Sequence, residues 1–465
     1  MGKRKKIIYL CFAVLLVLVM TSCKITQRYT RPNVSADNLY RDVTTTDTTS
    51  IATLPYTQIF TDTVLQRLIA QGIANNPNLL VAYTRIQQAQ AAYLQSRAAF
   101  FPTLNANTGV TTSHLSNAQR SSGVRTDITQ YTIGLSSSWE IDIWGQLRSS
   151  RRADLANLLQ TEAATRAVQT GLVADIANNY FLLLALDRQL LVTRQTVANW
   201  DTTVLVLRAL KEAARVTEAA VVQSEAQRYA AEVTIPDLER NIRETENGLS
   251  ILLGLPPGSI NRSDLYAQQP IAVLQTGVPA LLLANRPDVQ EAEYNYRFYF
   301  ELTNVARTNF YPALSITAST GLSALQPGNI FLPGSLAASI GAGLTQPVFN
   351  RRANRTRLEI ARAQQQGALI DFQNALLNAG REVSDALYLY QTAINKAGIR
   401  TNEITALNQS VSYTQELLRY GFATYTEVIT ARQSLLQAQL GSINDRLQQL
   451  QATVNLYRSL GGGWR

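Results

Sequence analysis

Charge is scarce in this chain. Asp, Glu, Lys and Arg make up 16% of its 465 residues, well below the usual quarter, so Gln, Asn, Ser and Thr have to wet much of the surface. Histidine occurs once, as His114, and cysteine twice, as Cys11 and Cys23. Two cysteines exclude a disulfide framework. A lone histidine without companion ligands gives no support to a metal centre or a general base. No Gly-rich phosphate loop occurs, and Gly341-Ala342-Gly343 lacks a following phosphate-binding helix and reads as a strand with one small face. Composition and motifs therefore lead us to expect no catalytic constellation, no cofactor and no metal.

The N-terminus carries an address. Lys3, Arg4, Lys5 and Lys6 precede an unbroken apolar run from Ile7 to Val19, and Met20-Thr21-Ser22-Cys23 follows. That order is a secretory signal, and the run is shorter than the ~20 residues of a permanent membrane helix. The small pair before Cys23 resembles a lipobox, in which the thiol is acylated and the cysteine becomes the first residue. Met20 stands where Leu is usual, and plain cleavage leaving a free thiol is the alternative. Lys24 is not the Asp that resembles an inner-membrane retention signal, so the expected location is the outer membrane of a Gram-negative bacterium, lipid-anchored and extending into the periplasm. Cleavage lowers the formal charge from +9 to about +5, which leaves nucleic acid a poor explanation of the basic balance.

The mature chain is written twice. Ala74-Asn75-Asn76-Pro77 matches Ala284-Asn285-Arg286-Pro287, and at the same offset Arg97 meets Arg307, Phe100 meets Phe310, Pro102 meets Pro312 and Leu104 meets Leu314. After a five-residue slip Trp144 faces Phe349, Arg152 faces Arg357 and Ala156 faces Ala361; a further small shift pairs Thr217 with Thr424 and Val221 with Val428. The expected layout is a signal peptide at 1–22, an extended lipid-anchored segment at 23–58, a first repeat at 59–258, a linker at 259–278 and a second repeat at 279–465. Gly254 and Pro256-Pro257-Gly258 mark the boundary.

Within each half the hydrophobic period changes from helical to alternating and back. Tyr131, Ile133, Leu135, Trp139, Ile141 and Ile143 alternate with Thr132, Gly134, Ser136, Ser138, Glu140 and Asp142, and similar alternation starts at Leu104, Leu314 and Leu336. The spacing predicts four strands, at about 103–113, 130–143, 313–323 and 336–348, each with one apolar and one small polar face. A soluble sandwich would also use such strands. Strands of about ten residues match a tilted membrane barrel, however, and the aromatics near their ends match the interfacial belt. Four strands cannot close a barrel, and open edges are not tolerated in lipid, so the chain is expected to oligomerise. Two copies would give a barrel filled by side chains, three a real channel.

Each second strand is followed by a very long helical stretch of roughly sixty residues, on the order of 90–100 Å at ~1.5 Å per residue. In the second half a seam at steps of three and four runs Leu358, Ala361, Leu369, Phe372, Leu376, Ala379, Val383, Leu387, Tyr390, Ile394, Ala397, Ile404, Leu407, Val411, Leu418, so this helix should pack along neighbours over its length. The helices are expected to reverse near Arg215-Val216-Thr217 and Tyr420-Gly421-Phe422-Ala423-Thr424, and Pro236 to interrupt one of them.

Tyr29-Thr30-Arg31-Pro32, Asn285-Arg286-Pro287-Asp288-Val289, Phe310-Tyr311-Pro312-Ala313-Leu314, Trp139-Glu140-Ile141-Asp142-Ile143-Trp144-Gly145, Ile251-Leu252-Leu253-Gly254-Leu255-Pro256 and Tyr420-Gly421 resemble signatures of the TolC family of outer-membrane efflux proteins, within it the lipoprotein branch serving tripartite RND multidrug pumps. The resemblance covers essentially the whole mature chain. It implies a mainly α protein with a membrane β-barrel: a homotrimer whose tandem-repeat protomers supply a twelve-stranded barrel and an α-helical periplasmic tunnel. It also implies a periplasmic adaptor and an inner-membrane RND transporter as partners, and outer-membrane lipid around the barrel. The implied function is a passive exit duct for drugs or other small compounds. A duct for type I protein secretion and a lipid-anchored coiled-coil scaffold without a pore are the alternatives.

The resemblance also places a periplasmic gate at Tyr420, Gly421, Glu427 and Thr430, with Glu427 on the family's first aperture carboxylate and Thr430 on its second; Glu218 is a lesser candidate. Cys23 is the expected lipidation site. Glu140 and Asp142 fall on the lumen face at the barrel rim. Arg148, Arg151 and Arg152, with Arg351, Arg352 and Arg355 in the repeat, are expected to start the long helices and meet lipid headgroups.

Overall fold

In a computed structural model of the chain, the described residues are 25–34, 39–41, 47–114, 116, 127–269 and 276–465. The signal sequence, Cys23 and most of the segment joining the first two strands lie outside them. The elements are α1 (Thr63–Asn75), α2 (Pro77–Ala98), β1 (Thr103–His114), β2 (Asp127–Ile141), α3 (Gln146–Glu212), α4 (Glu218–Glu232), α5 (Thr234–Leu252), α6 (Pro287–Thr308), β3 (Ala313–Ala324), β4 (Leu336–Thr345), α7 (Ala353–Tyr420) and α8 (Tyr425–Ser459), with single helical turns between them. The order doubles: α2 and α6 have 22 residues each and both begin at a proline, and the 12-residue β1 and β3 follow them.

The chain divides into two compact units, one of residues 1–33, 86–160 and 292–372, the other of residues 34–85, 161–291 and 373–465. The first holds one antiparallel sheet in the order β1-β2-β3-β4. Two strand ends differ from the sequence expectation. β2 stops at Ile141 rather than 143, because the Asp142 carboxylate turns to accept from Leu147 N (3.1 Å) and Arg148 N (3.0 Å) and caps α3. β4 stops at Thr345 rather than 348, two residues before Pro347, which has no N–H to give to a ladder.

The second unit is helical. Around Leu172–Leu186, α3 is buried on nearly every side, including Val173, Ile176, Tyr180, Phe181, Leu183 and Leu184. Phe60 stands edge-on to both Phe181 (6.4 Å between ring centres) and Tyr457 (6.2 Å), and Tyr180 donates to Asp62 at 2.6 Å. Asp62 also caps α1 and accepts from Ser263 and Gln268. Burial pushes its carboxyl up, but the hydrogen bonds outweigh burial and hold it below its ordinary value. The segment before α1 is not wholly extended, since Ile51–Thr53 and Tyr56–Ile59 form short helical turns.

The duplicated motif has a duplicated job. Asn76 donates to the carbonyl of Leu252 near the end of α5 (2.9 Å), and Arg286, its repeat counterpart, donates to that of Ser459 at the end of α8 (3.0 Å). The longer side chain also reaches Glu382 at 2.8 Å and Asp288 at 2.5 Å, so buried Arg286 is neutralised where Asn76 needed no partner charge.

α3 and α7 have 67 and 68 residues. Along α7 the expected seam is buried at Ala361, Phe372, Leu376, Ala379, Val383 and Tyr390. It then departs from expectation: Ile394 and Ala397 are exposed, and Ile404, Leu407, Val411 and Leu418 are half-buried. A second row, Ile360, Ile370, Leu377 and Tyr388, is exposed throughout. One chain therefore covers only part of the apolar surface of its own helix. Pro236 acts as anticipated: α4 ends at Glu232, and α5 restarts at Thr234 with the proline in its first turn, where the missing N–H costs nothing.

Both hairpins turn in the same way. Gly421 (φ 81°) closes α7, with its N–H on Leu418 O and that of Phe422 on Leu417 O. Ala214 (φ 58°) closes α3, its N–H on Lys211 O and that of Arg215 on Leu210 O. This left-handed closure suits glycine and penalises alanine by about 1 kcal/mol. Ala214→Gly should therefore stabilise the first turn, slowing amide exchange of residues 213–217 about fivefold; unchanged exchange would contradict the strain.

Candidate functional site

The register of the sheet sorts its side chains into two unlike faces. Leu104, Ala106, Thr108 and Val110 lie opposite Ser137, Leu135, Ile133 and Tyr131. Trp139, Leu135 and Ile133 lie opposite Ile316, Thr320 and Leu322; Leu314, Ala318 and Leu322 lie opposite Leu344, Ile340 and Leu336. These form a mostly apolar face, interrupted by Thr108, Ser137 and Thr320, and no described residue covers it: Leu104 is 70% exposed, Ile340 82% and Leu344 64%. At the ~45° tilt general to membrane barrels, the stretch from Tyr131 to Ile141 would be about 25 Å tall, the height of a hydrocarbon layer.

The other face is small and polar. Asn105, Asn107, Gly109, Thr132, Gly134, Ser136, Ser138, Thr317, Ser319, Gly321, Ser339, Gly341 and Gly343 share it, laced by Asn107–Ser136 (2.6 Å), Gln130–Ser323 (2.8 Å) and Ser319–Ser339 (2.8 Å) hydrogen bonds. It is concave, with a trough of about 260 Å³ lined by Asn107, Thr132, Ser136, Ser319 and Ser339 among others. Gly134 and Gly321 face each other at its centre. A Cβ on Gly321 would lie 2.4 Å from the Ile133 carbonyl, and one on Gly134 2.7 Å from that of Thr320, so only glycine lets the strands bend this tightly. A glycine inside each strand was the sequence signal for that close approach; the pairing of residues so far apart in the chain was not legible. Among the described residues the outer edges of β1 and β4 have no strand partner.

At the end of the sheet where the long helices start, the candidates separate. Glu140 is exposed on the polar face with no partner among the described residues. Asp142 is a correction: its side chain is 7% exposed and holds Arg148 Nε at 2.9 Å while capping α3, so it does not line the face. Arg148 is engaged by it. Arg152 turns inward to the buried Glu301 at 2.8 Å, also against expectation. Arg151 remains exposed, its guanidinium over the Phe100 ring at 5.6 Å. Arg351 and Arg352 do not start α7; they form a left-handed turn before it (φ 53° and 67°), with Arg352 and Arg355 sharing Glu359. Sequence reasoning missed the strap that crosses here. Gln27 and Asn304 exchange two hydrogen bonds, N to Oδ1 at 3.0 Å and Nδ2 to O at 2.9 Å; Tyr29 packs on Tyr296 and Phe300, and Arg31 pairs with Glu293.

The two helix turns pack together within the helical unit. Trp200, Ala231 and Ile429 form one small core with Tyr425 beside it; Val204, Leu207 and Val221 form another, flanked by Leu418 and Tyr425. Arg432 stacks over Trp200 and donates to Asn199 O at 3.1 Å, and burial pulls its guanidinium below its ordinary value. Tyr420 is exposed. Glu427 is exposed too, but its carboxylate accepts from the Thr424 N–H at 3.2 Å and completes a capping box at the start of α8. Thr430 returns its hydroxyl to Thr426 O at 2.9 Å.

Among the described residues no group of His, Cys, Asp and Glu could hold a metal, and no helix is long and apolar enough to cross a membrane. If Asp142 is a cap, Asp142→Ala should cost about 1 kcal/mol locally and speed amide exchange at residues 146–149 several-fold, with Asp142→Asn close to wild type. Equal exchange in all three proteins would return Asp142 to the lumen.

Comparison with known proteins agrees with this geometry. The profile of the outer membrane efflux protein family matches residues 68–255 and 278–462, two stretches that start at the offset of the sequence repeat. The solvent efflux pump outer membrane protein SrpC of Pseudomonas putida is 30% identical over 421 residues, covering 90% of each chain. The cation efflux system protein CusC of Escherichia coli is 26% identical over 460 residues, 96% of this chain and 97% of that one. A crystal structure of a membrane protein from Pseudomonas aeruginosa superposes with a TM-score of 0.86 at 26% identity, over 94% of this chain and 100% of that one. With its two-faced sheet, its doubled order of elements and a family match over most of its length, the chain belongs to the outer membrane efflux protein family and is an outer-membrane component of an efflux system.

Proposed function

We propose that three copies close their sheets into a twelve-stranded barrel and their helices into a periplasmic tunnel, making a passive exit duct for drugs, solvents or other small organic compounds. The observation that carries this reading is the sheet: among the described residues it is apolar and uncovered on one face, small, polar and concave on the other, with two edges lacking a strand partner. Lipid is the environment that takes such an apolar face, and water the one that takes the polar face. Three copies leave a water-filled lumen, whereas two would fill it with side chains.

The wall favours organic solutes over soft metal cations. Relatives include a solvent efflux protein and a cation efflux protein, but Met occurs here only at positions 1 and 20 and His only at 114, so the duct offers no thioether or imidazole set for a soft ion. With no Gly-rich nucleotide loop in the sequence, the duct would be passive; an inner-membrane RND transporter would drive export through a periplasmic adaptor. Cys23 would anchor the strap in lipid. Thr26 packs against Gly145 at the start of α3, and three residues reach about 10 Å at most, which would bring an acylated Cys23 to the barrel rim. There the exposed Arg151 and Arg351 would meet headgroups. Glu140 would ring the lumen rim, and Glu427 the aperture at the helix turns, with Tyr420, Gly421 and Thr430 beside it.

Because Glu427 also caps α8, charge and capping must be separated. Glutamine keeps the capping box and removes the charge; alanine removes both. In planar bilayers the wild-type protein should give discrete cation-preferring currents. Glu427→Gln should reduce the preference and leave the open probability near wild type, while Glu427→Ala should raise the open probability as well. Currents indifferent to both changes would dismiss the aperture ring. No current from folded oligomers, even with Tyr420→Ala loosening the turn, would contradict the duct.

A further inference from the structure

The junction between the two repeats inside one chain is a template for the junction between chains. β2 and β3 meet at that internal junction, and just beyond it Trp144 lies against Tyr311, ring centres 5.3 Å apart, donating to the Pro312 carbonyl at 2.7 Å. In the repeat, Phe349 takes the place of Trp144, and Phe101-Pro102 that of Tyr311-Pro312. Phe349 is 87% exposed and Phe101 73%, against 40% for Tyr311. The pair that is satisfied at the internal junction stands open at the two sheet edges, one half on each. Each half therefore lacks the other half from a second copy.

Two registers would bring them together. A row of residues perpendicular to the strands runs from Ala106 through Leu135 and Thr320 to Ala338. If the aromatic step sets the correspondence, Trp144 with Phe349, the row arrives at Thr112 of the next copy, six residues along from its start. The strands alone set it differently, because the two hairpins differ by two residues: Thr103 opposes Ser138, whereas its counterpart Ala313 opposes Thr345. By that rule the row arrives at His114, eight residues along. Both rules keep the apolar face continuous, since alternate residues share a face.

Closure separates them. Three copies advancing six residues each give a stagger of about 18, and at ~3.3 Å per residue and ~4.8 Å between twelve strands the tilt is about 45°. An advance of eight gives about 24 and a tilt near 54°, outside the usual 35–45° of membrane barrels. Resting on the closed trimer proposed above, we infer that β4 of each copy pairs with β1 of the next in the six-residue register. Ser339 then lies opposite Thr111 and Ile340 opposite Val110, and Phe349 stacks on the neighbour's Phe101. The stack has one difference from its template, because phenylalanine has no N–H for the Pro102 carbonyl.

The register is tested by disulfide trapping in the full-length protein extracted from membranes. Opposed residues lie within bridging distance, but diagonal ones two positions away, at ~7–8 Å, do not. Ser339→Cys with Thr111→Cys is compared with Ser339→Cys paired to Gly109→Cys and to Ser113→Cys. Ala338→Cys with Thr112→Cys samples the other face, where antiparallel spacing alternates. The expected result is a covalent trimer on non-reducing denaturing gels from Ser339/Thr111, Ala338/Thr112 or both, at least tenfold above the two offset pairs. Preferential bridging of Ser339 to Ser113 would overturn the register in favour of the eight-residue advance, and bridging to Gly109 would overturn it in the other direction. Conducting oligomers that bridge at none of these pairs would refute the six-residue register while leaving the duct intact. Failure of the unsubstituted protein to form oligomers or conduct would instead remove the trimer on which the register rests.

Discussion

Backbone polar groups on the edge of a sheet need partners, and in hydrocarbon water cannot supply them. Most features of this chain follow from that constraint acting on a sheet of only four strands. The apolar face requires lipid, lipid forbids open edges, and each copy therefore has two edges to satisfy with other copies. The polar face follows from the same geometry: in the closed barrel proposed above it would line a water-filled lumen, and its side chains are serine, threonine, asparagine and glycine. Gly134 and Gly321 stand where a Cβ would strike the neighbouring backbone. The low charge content of the whole chain has its local counterpart here, in a wall wetted by hydroxyls and amides.

The doubling of the sequence supplies the second organising fact. Equivalent positions do equivalent work with different chemistry. Asn76 and Arg286 hold the ends of their return helices, Ala214 and Gly421 close their turns, and Trp139 and Gln346 each satisfy a carbonyl just before a strand, those of Phe100 and Phe310. Where the copies have diverged, the difference has a physical reason: a buried arginine has acquired Glu382 and Asp288, and a left-handed position has become glycine in one half but not the other. The first hairpin is also zipped by cross-helix ion pairs, Arg194–Glu239, Arg208–Glu225, Lys211–Glu218 and Arg228–Asp201. The second has Arg400–Asp445.

The elements were legible because their periodicities are strong. Alternation at Tyr131–Ile141 and Leu314–Thr320 marked strands and even which face was which, and Pro236 and Gly421 marked interruptions. Charged side chains were less legible, since sequence spacing does not say whether a carboxylate faces water or a helix end. Asp142 kept the alternation of its strand, yet the free N–H groups of α3 claimed it. Glu427 carries both the proposed aperture charge and a capping role visible in Thr424-x-x-Glu427. Arg152 could not be told from Arg151 until Glu301 appeared beside it. The α7 seam ran on through Ile394 and Ala397 in sequence because helical spacing records apolar surface but not which chain covers it.

Amide hydrogen exchange on the assembled protein, resolved along the four strands, tests the central claim most directly. If the edges are paired across copies, amides of β1 and β4 should be protected as strongly as those of β2 and β3, and dissociation of the oligomer should release the edge strands first. Edge amides of the assembled protein that exchange as fast as loop amides would show an open sheet and contradict the account.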